Sequence, residues 1–260
     1  MAGKRHPQHR QCRLVLIRPH DQRICPRHLG RDVKPSAAAL EALLNGTHAD
    51  PFSLLGVHQG PLGLHARVIL PGAEEAEAFD LSGSRLGLLQ RSDDRGLFEG
   101  ALSGTRQPVR YRAAVANASW DVIDPYSFGP VLGPLDDLLF DKMGAHLIRH
   151  EGANGVHFAV WAPNARRVAL VGDFNDWDGR RHGMRFRSDT GVWEIFMPGL
   201  DEGRPYKFQI TAEDGTVLPL KADPYAFRSE LRPATASLTA RPAKPDWGDA
   251  AHRAHWANAD

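Results

Sequence analysis

The chain has 260 residues, of which 42% are hydrophobic, enough to form the cores of two domains of ordinary size. Its formal net charge of +1 gives no basic field for nucleic acid and no acidic field. No apolar stretch approaches the ~20 residues that a membrane helix needs. With Cys12 and Cys25 as the only cysteines, a disulfide framework is excluded. We therefore expect a cytoplasmic protein with neither nucleic acid nor membrane as a partner.

Residues 1–36 form a basic segment crowded with Arg, His and Lys, which we expect to be disordered. The segment contains His9, Cys12, Cys25 and His28, a combination of side chains that can hold zinc. Because His and Arg are so frequent here, chance spacing explains the set, and we expect no metal. An upstream stretch of wrongly assigned translation and an Arg-rich transit peptide are the alternatives to a solvated tail.

A first β-rich module is predicted over residues 37–140. It opens with a helix after Ser36, a suitable N-cap, and Asn45-Gly46 ends that helix. In the last predicted strand Val109 and Tyr111 share one face, while Arg110 points the other way. The predicted strands of this module cover residues 65–70, 85–91, 97–102 and 109–116.

A second β-rich module is predicted over residues 141–240, after a connector at 120–146, and residues 241–260 are expected to be a linker. No strand–helix alternation occurs, so a parallel α/β fold is excluded. The fold class is therefore all-β, with two tandem immunoglobulin-like sandwiches. Two similar β modules in tandem are compatible with a duplication, but the sequence has no fixed-period repeat to establish one. The predicted strands of this module cover residues 156–161, 167–171, 192–197 and 206–211.

The candidate functional residues surround a polar turn at 171–179 that presents Trp177. The flat face of an indole suits the CH-rich face of glucose, and its NH can donate a hydrogen bond. Strand alternation puts Lys207 and Gln209 on one face, and Asn175 adds an amide to the turn. This set favours binding of a neutral, hydroxyl-rich glucan. The alternative is that Trp177 only packs the edge of the sandwich.

Other features of the chain point less clearly to a site. Trp161 and Trp193 lie inside predicted strands, where we expect them to be buried in the core or between the modules. The aspartates of 173–178 supply many oxygens, but the ligand order of an EF-hand and its closing Glu are missing. We therefore expect no metal and no cofactor.

Several ordered motifs of the two modules resemble those of a known family. They are residues 48–52, 55–58, 124–128, 144–146, 158–165, 171–177, 206–208, 221–227 and 232–237. By these motifs the second module resembles the carbohydrate-binding module of family 48 found in glycogen branching enzymes, and the first resembles the extra N-terminal module of the bacterial enzymes. The likeness covers roughly residues 37–240.

The resemblance implies α-1,4-glucan, as glycogen or maltooligosaccharide, as the partner, with Trp177 and Lys207 at positions that contact it. Relatives that bind glycogen strongly have a second Trp shortly after the turn that here is Asp214-Gly215, where this chain has Val217. A single stacking platform implies millimolar affinity, about −4 kcal/mol.

The resemblance also implies a catalytic (β/α)₈ barrel of ~250 residues in the full-length protein, carrying a carboxylate nucleophile and an acid/base. Only residues 241–260 follow the second module, and none of the carboxylates forms the barrel motifs. We therefore expect no catalytic residue here and no branching by this chain alone. The alternatives are a free-standing glycan-binding protein, the front of a debranching or trehalose-releasing relative, and a structural protein with no glycan role.

Overall fold

The computed structural model describes residues 35–133, 139–242, 248 and 250–257, so residues 1–34 of the basic segment, with Cys12 and Cys25, lie outside the described residues. The described chain is mostly β-structure, with one seven-stranded and two four-stranded antiparallel sheets. This confirms the all-β prediction. None of the described helices has the length and apolar character required to cross a membrane.

Helix α1 (Ala37–Leu44) opens the described chain as the sequence predicts. The Ser36 hydroxyl accepts a hydrogen bond from the Ala39 N–H at 3.1 Å, which satisfies one of the free amides of the first turn. The helix ends at Asn45, and Gly46 follows with a φ of +67°, a conformation that glycine adopts without strain.

The first module is a seven-stranded sheet that folds over on itself, in the order β1-β2-β5-β4-β3-β6-β7. Buried side chains from both halves, such as Val68 and Phe98 on one side and Ala78 and Tyr111 on the other, meet in one core. Strands β1, β3 and β7 were not predicted. The strands are β1 (Gly56–Gly60), β2 (Gly63–Ile69), β3 (Glu75–Asp80), β4 (Arg85–Asp93), β5 (Leu97–Leu102), β6 (Val109–Val115) and β7 (Ala118–Ile123).

The second module has two sheets, ordered β8-β9-β12-β11 and β10-β13-β15-β14, which pack around Phe158, Leu170 and Tyr206. Helix α2 (Ala250–Ala257) follows, within the stretch predicted to be a linker. The strands are β8 (Gly144–His150), β9 (Ala153–Trp161), β10 (Ala165–Gly172), β11 (Arg185–Arg187), β12 (Val192–Pro198), β13 (Pro205–Ala212), β14 (Arg228–Ser229) and β15 (Ser237–Leu238).

The two strand tryptophans differ in environment. Trp193 is buried, and its indole N–H donates to the carbonyl of Ala162 at 3.0 Å, as predicted for a core residue. The prediction for Trp161 is wrong, because its side chain is 63% exposed. Trp161 is the last residue of β9, and the connector covers that face of the strand at Ala159 but not at its end.

A buried carboxylate fixes the connector against the second module. Glu194 on β12 accepts hydrogen bonds from the backbone N–H groups of Val131 and Leu132, both at 3.0 Å. It also pairs with His157 at 3.1 Å and with Arg187 at 3.0 Å. Burial disfavours its charge, but these hydrogen bonds prevail and lower the pKa of Glu194 to about 2.

The two modules share one topology. The order β1-β2-β5-β4 of the first matches β8-β9-β12-β11 of the second, and the pair β3-β6 matches β10-β13. Strand β4 pairs with both β3 and β5. Its counterpart does the same, since residues 182–184 bond to β10 and residues 185–187 then pair with β12. The structure thus shows an internal repeat that the sequence alone did not establish.

Each repeat has a turn of the same design toward its C-terminal end, here named its closing turn. In the first closing turn, residues 124–128, the hydroxyl of Tyr111 donates to buried Asp124 at 3.1 Å. The other carboxylate oxygen of Asp124 accepts from the Tyr126 N–H at 2.9 Å. Gly56, with a φ of +92°, lies against Tyr126, and a Cβ there would collide with the tyrosine backbone.

The second closing turn, residues 223–227, reproduces these contacts. The hydroxyl of Tyr206 donates to Asp223 at 2.6 Å, and Asp223 accepts from the Tyr225 N–H at 2.8 Å. Gly144, with a φ of +96°, lies against Tyr225 as Gly56 does against its own tyrosine. Equivalent glycine, tyrosine and aspartate contacts in the same order establish that the modules correspond residue by residue at their closing turns.

Candidate functional site

The turn after β10 has an unusual backbone that displays Trp177. A 3₁₀ turn at Asp173–Asn175 is followed by Asp176 and Trp177 with φ values of +55° and +58°. Left-handed backbone is uncommon for a bulky side chain such as tryptophan. The Trp177 N–H donates to the carbonyl of Gly172 at 2.9 Å and closes the turn. The indole is left 38% exposed at the end of the strand.

Asn175 lies inside this turn, which corrects the expectation that its amide faces a ligand. The residue is 1% exposed. Its Oδ1 accepts from the Gly172 N–H at 2.9 Å, and its Nδ2 donates to the carbonyl of Leu170 at 2.9 Å. The same Nδ2 lies 2.8 Å from Nδ1 of His182. Both amide hydrogens are used internally, so Asn175 shapes the turn that holds Trp177.

His182 completes the inner hydrogen-bond network of the turn. Burial, helped by the neighbouring guanidinium of Arg181, lowers the pKa of His182 to about 4. The ring is therefore neutral at pH 7, and its Nδ1 is free to accept the hydrogen bond from Asn175. The network thus keeps one arrangement across the physiological pH range.

Lys207 and Gln209 lie on one face of β13, as strand alternation predicts. Lys207 pairs with Val171, one residue before the Gly172 that bonds Trp177, so the structure brings Lys207 and Trp177 to the same end of the strand pair. The Lys207 Nζ donates to the Thr235 hydroxyl at 2.6 Å. Thr235 is 28 residues away in sequence, and no local pattern links it to the site.

Gln209 supports the far side of the turn. It is partly buried, and its carboxamide lies directly under Gly179, where a Cβ would collide with Oε1. The buried guanidinium of Arg167 donates to the carbonyl of the same glycine. Burial lowers the pKa of Arg167, although the group stays charged at neutral pH. The loop is thus fastened over β10 and β13 between Trp177 and the point where β11 begins.

The aspartates of the turn face arginines. Within the described residues there is no group of three His, Cys, Asp or Glu side chains suited to a metal ion. Pairing with Arg180 lowers the pKa of Asp178. The ion pairs are Asp173–Arg204 at 3.0 Å, Asp176–Arg181 at 3.3 Å and Asp178–Arg180 at 2.7 Å.

The position where a second platform was considered is occupied by Val217. It follows the tight turn in which Asp214 accepts from the Thr216 N–H at 2.8 Å. Val217 pairs with Thr211 near the end of β13 and is 58% exposed. A valine has no flat ring, so this position provides no second stacking platform.

Family models match both modules. Residues 36–126 match the N-terminal domain of alpha-1,4-glucan branching enzyme GlgB, and residues 142–226 match carbohydrate-binding module 48, the isoamylase N-terminal domain. The chain belongs with the N-terminal part of 1,4-alpha-glucan branching enzymes. The second module is accordingly a carbohydrate-binding module by family, and the first is the module that precedes it in these enzymes.

Curated relatives agree with this assignment. A 1,4-alpha-glucan branching enzyme of Novosphingobium aromaticivorans is 67% identical over 237 residues, which are 88% of this chain and 33% of that enzyme. One of Mesorhizobium japonicum is 59% identical over 241 residues, 89% of this chain and 33% of that enzyme. The chain thus spans about a third of the length of the curated relatives it matches.

Similarity to solved structures is weaker. A maltotriose complex of a PulA mutant from Klebsiella pneumoniae matches 67% of this chain and 23% of its own, at 19% identity and a TM-score of 0.30.

Proposed function

We propose that this chain binds α-1,4-glucan through Trp177 and holds it for the catalytic part of a branching enzyme. The observation that carries the proposal is the partly exposed indole of Trp177. It is held on a turn with left-handed backbone, at the same end of the β10–β13 pair as Lys207. The ring can stack on a glucose face while Lys207 donates to hydroxyl oxygens. Gln209, on the same face of β13, supports the turn from beneath Gly179.

The expected affinity is low. One exposed indole without a second ring at Val217 gives millimolar binding, about −4 kcal/mol. A weak site of this kind raises the local concentration of substrate beside a linked catalytic site without trapping it. By the same proposal the chain forms no branches by itself, and it acts in the cytoplasm on glycogen and maltooligosaccharides.

Co-sedimentation with glycogen tests the proposal. The unmodified chain is expected to pellet with glycogen, and Trp177→Ala is expected to bind about tenfold more weakly, a loss of ~1.4 kcal/mol. Trp161→Ala is the matched control, because it removes a more exposed indole, at 63%, from the end of β9. Equal binding by the chain and by Trp177→Ala would overturn the proposal.

Loss of absorbance from iodine-stained amylose measures branching. The chain alone is expected to leave the signal unchanged. A fall in absorbance with the purified chain would contradict the non-catalytic part of the proposal and leave the binding part standing.

A further inference from the structure

A cluster of exposed aromatic residues surrounds the second closing turn. Phe140 is 62% exposed, Trp161 63%, Tyr225 48% and Phe227 45%. Most of these rings border a groove of about 400 Å³. Large apolar side chains grouped in this way on a soluble surface mark an interaction site rather than ordinary surface. The groove is lined by Leu139, Phe140, Met143, Trp161, Pro224 and Tyr225.

The internal repeat supplies a counterpart for three of these residues. Tyr225 and Phe227 occupy the places that Tyr126 and Phe128 take in the first closing turn. Phe140 lies four residues before Gly144, the glycine that contacts the closing turn of its repeat. The first repeat has Phe52 at that distance from Gly56.

A second pair of contacts verifies this register. The His58 ring lies 2.9 Å from the carbonyl of Leu55, and the His146 ring lies 2.9 Å from the carbonyl of Met143. Both histidines lie two residues after the glycine, and both carbonyls lie one residue before it. Residues 52–58 and 140–146 therefore correspond one to one.

In the first repeat, all three aromatic residues bind the module that follows in the chain. The Tyr126 hydroxyl donates to the carbonyl of Arg181 at 2.8 Å. The Phe128 ring packs edge to face on Phe196, with centroids 5.0 Å apart. These contacts leave Tyr126 6% and Phe128 1% exposed.

Phe52 completes the set. Its ring lies edge to face on Tyr126 at 4.8 Å, and the Arg185 guanidinium covers it at 4.0 Å from the centroid. Cation–π contact of this kind is favourable when water is excluded. The second module thus presents a backbone carbonyl, a guanidinium and an aromatic ring to the three aromatic residues of the first repeat.

We propose that Phe140, Tyr225 and Phe227, extended by Trp161, form the surface that docks the next folded domain of a branching enzyme. Because the equivalent surface of the first repeat binds a protein module, we expect this surface to bind a protein domain as well. That domain packs on the second module as the second module packs on the first. That domain presents a backbone carbonyl to Tyr225 and a cationic or apolar group to Phe140. The inference rests on the repeat and the family placement, and it does not depend on glucan binding at Trp177.

Glucan suits this groove less well. Sugar sites combine an aromatic ring with several convergent polar groups. Here the lining side chains are aliphatic or aromatic, and the tyrosine hydroxyl and the indole N–H are their only polar groups. A protein surface satisfies such a lining with few hydrogen bonds, as the second module does for Tyr126.

Hydroxyl-radical footprinting of side chains tests the proposal. The chain is measured alone and fused to the part of the Novosphingobium aromaticivorans enzyme that follows its matched 237 residues. In the fusion, labelling of Tyr225 is expected to fall about eightfold, the ratio of its exposure, 48%, to that of Tyr126, 6%. Labelling of Trp161 and Phe140 is expected to fall with it, and labelling of Trp177 serves as the unchanged control.

One substitution, made both in the fusion and in the isolated chain, sharpens the outcome. Tyr225→Ala in the fusion is expected to restore labelling of Phe140 and Trp161, and the same change in the isolated chain is expected to alter neither. Unchanged labelling of Tyr225 on fusion would overturn the proposal. So would protection already present in the isolated chain, through a dimer or through residues 243–260. Protection induced only by maltoheptaose would assign the groove to glucan instead.

Discussion

Asp124 gives the first module a stability that depends on pH. Its carboxyl group is 1% exposed and is held by the Tyr111 hydroxyl and the Tyr126 N–H. Burial raises the pKa of Asp124 from 3.8 to about 7, and the two hydrogen bonds offset only part of this shift. The folded chain therefore holds this proton more tightly than the unfolded chain does.

The sign and size of the effect follow from linkage. Because the folded pKa is raised, the stabilising contribution of protonated Asp124 is complete below the unfolded value of 3.8 and is lost as the pH rises through about 7. At 1.36 kcal/mol for each pKa unit, raising the pH from 5 to 8 removes about 2.5 kcal/mol of unfolding free energy. Asp124→Asn has no charge to bury, so it loses this dependence.

Urea unfolding at pH 5 and pH 8 measures the effect as a difference between proteins. Relative to the unmodified chain, Asp124→Asn is expected to gain about 2.5 kcal/mol between the two pH values. Asp94→Asn is the matched control, since the Asp94 side chain is fully exposed on the same module. Parallel pH profiles for the chain and for Asp124→Asn would refute the reasoning.

Three further substitutions test individual contacts. Asn175→Ala is expected to lower the free energy of unfolding by ~2 kcal/mol, because the buried Gly172 N–H loses its acceptor. It is also expected to weaken co-sedimentation with glycogen, because the turn that holds Trp177 is no longer fixed. Unchanged binding would contradict this. Glu194→Ala is expected to lower the free energy of unfolding at pH 7 by ~3 kcal/mol, measured with urea, because its buried hydrogen-bond partners are left unpaired. A loss below ~1 kcal/mol would show that these partners form other hydrogen bonds. Tyr126→Phe is expected to lower the melting temperature by about 2–4 °C, read by calorimetry, since one inter-module hydrogen bond is lost; an unchanged melting temperature would argue against that bond.

The sequence predicted the strands whose patterns are strong. Val109 and Tyr111 alternate cleanly with polar neighbours, and β6 was predicted within one residue of its end. Strands β1 and β8 were missed because Gly56 and Gly144 open them and their side chains are mixed in polarity. The same two glycines contact the closing turns, a tertiary requirement that strand propensity does not contain.

The internal repeat was hidden for a related reason. Its matching contacts are set by Tyr111 with Asp124 and by Tyr206 with Asp223, which are 13 and 17 residues apart. The differing spacings remove any fixed period from the sequence. The stretches of matching sequence, such as residues 124–128 and 223–227, are too short to establish a repeat by themselves. The hydrogen bonds and the shared strand order establish it.

The candidate site was predicted in part. Trp177 and Lys207 reach the same end of β10 and β13 because a polar turn and strand alternation are local properties. Asn175 was wrongly taken as a ligand contact, since a short amide after a strand serves a turn as readily as a sugar. Trp161 was wrongly taken as buried because the pattern of β9 does not show where the connector ends.

Assignment of the indole N–H resonance of Trp177, followed by titration with maltoheptaose, tests the central claim most directly. The account predicts that this resonance shifts and saturates in the millimolar range, while that of buried Trp193 stays in place. Binding of maltoheptaose with no change at Trp177 would contradict the account.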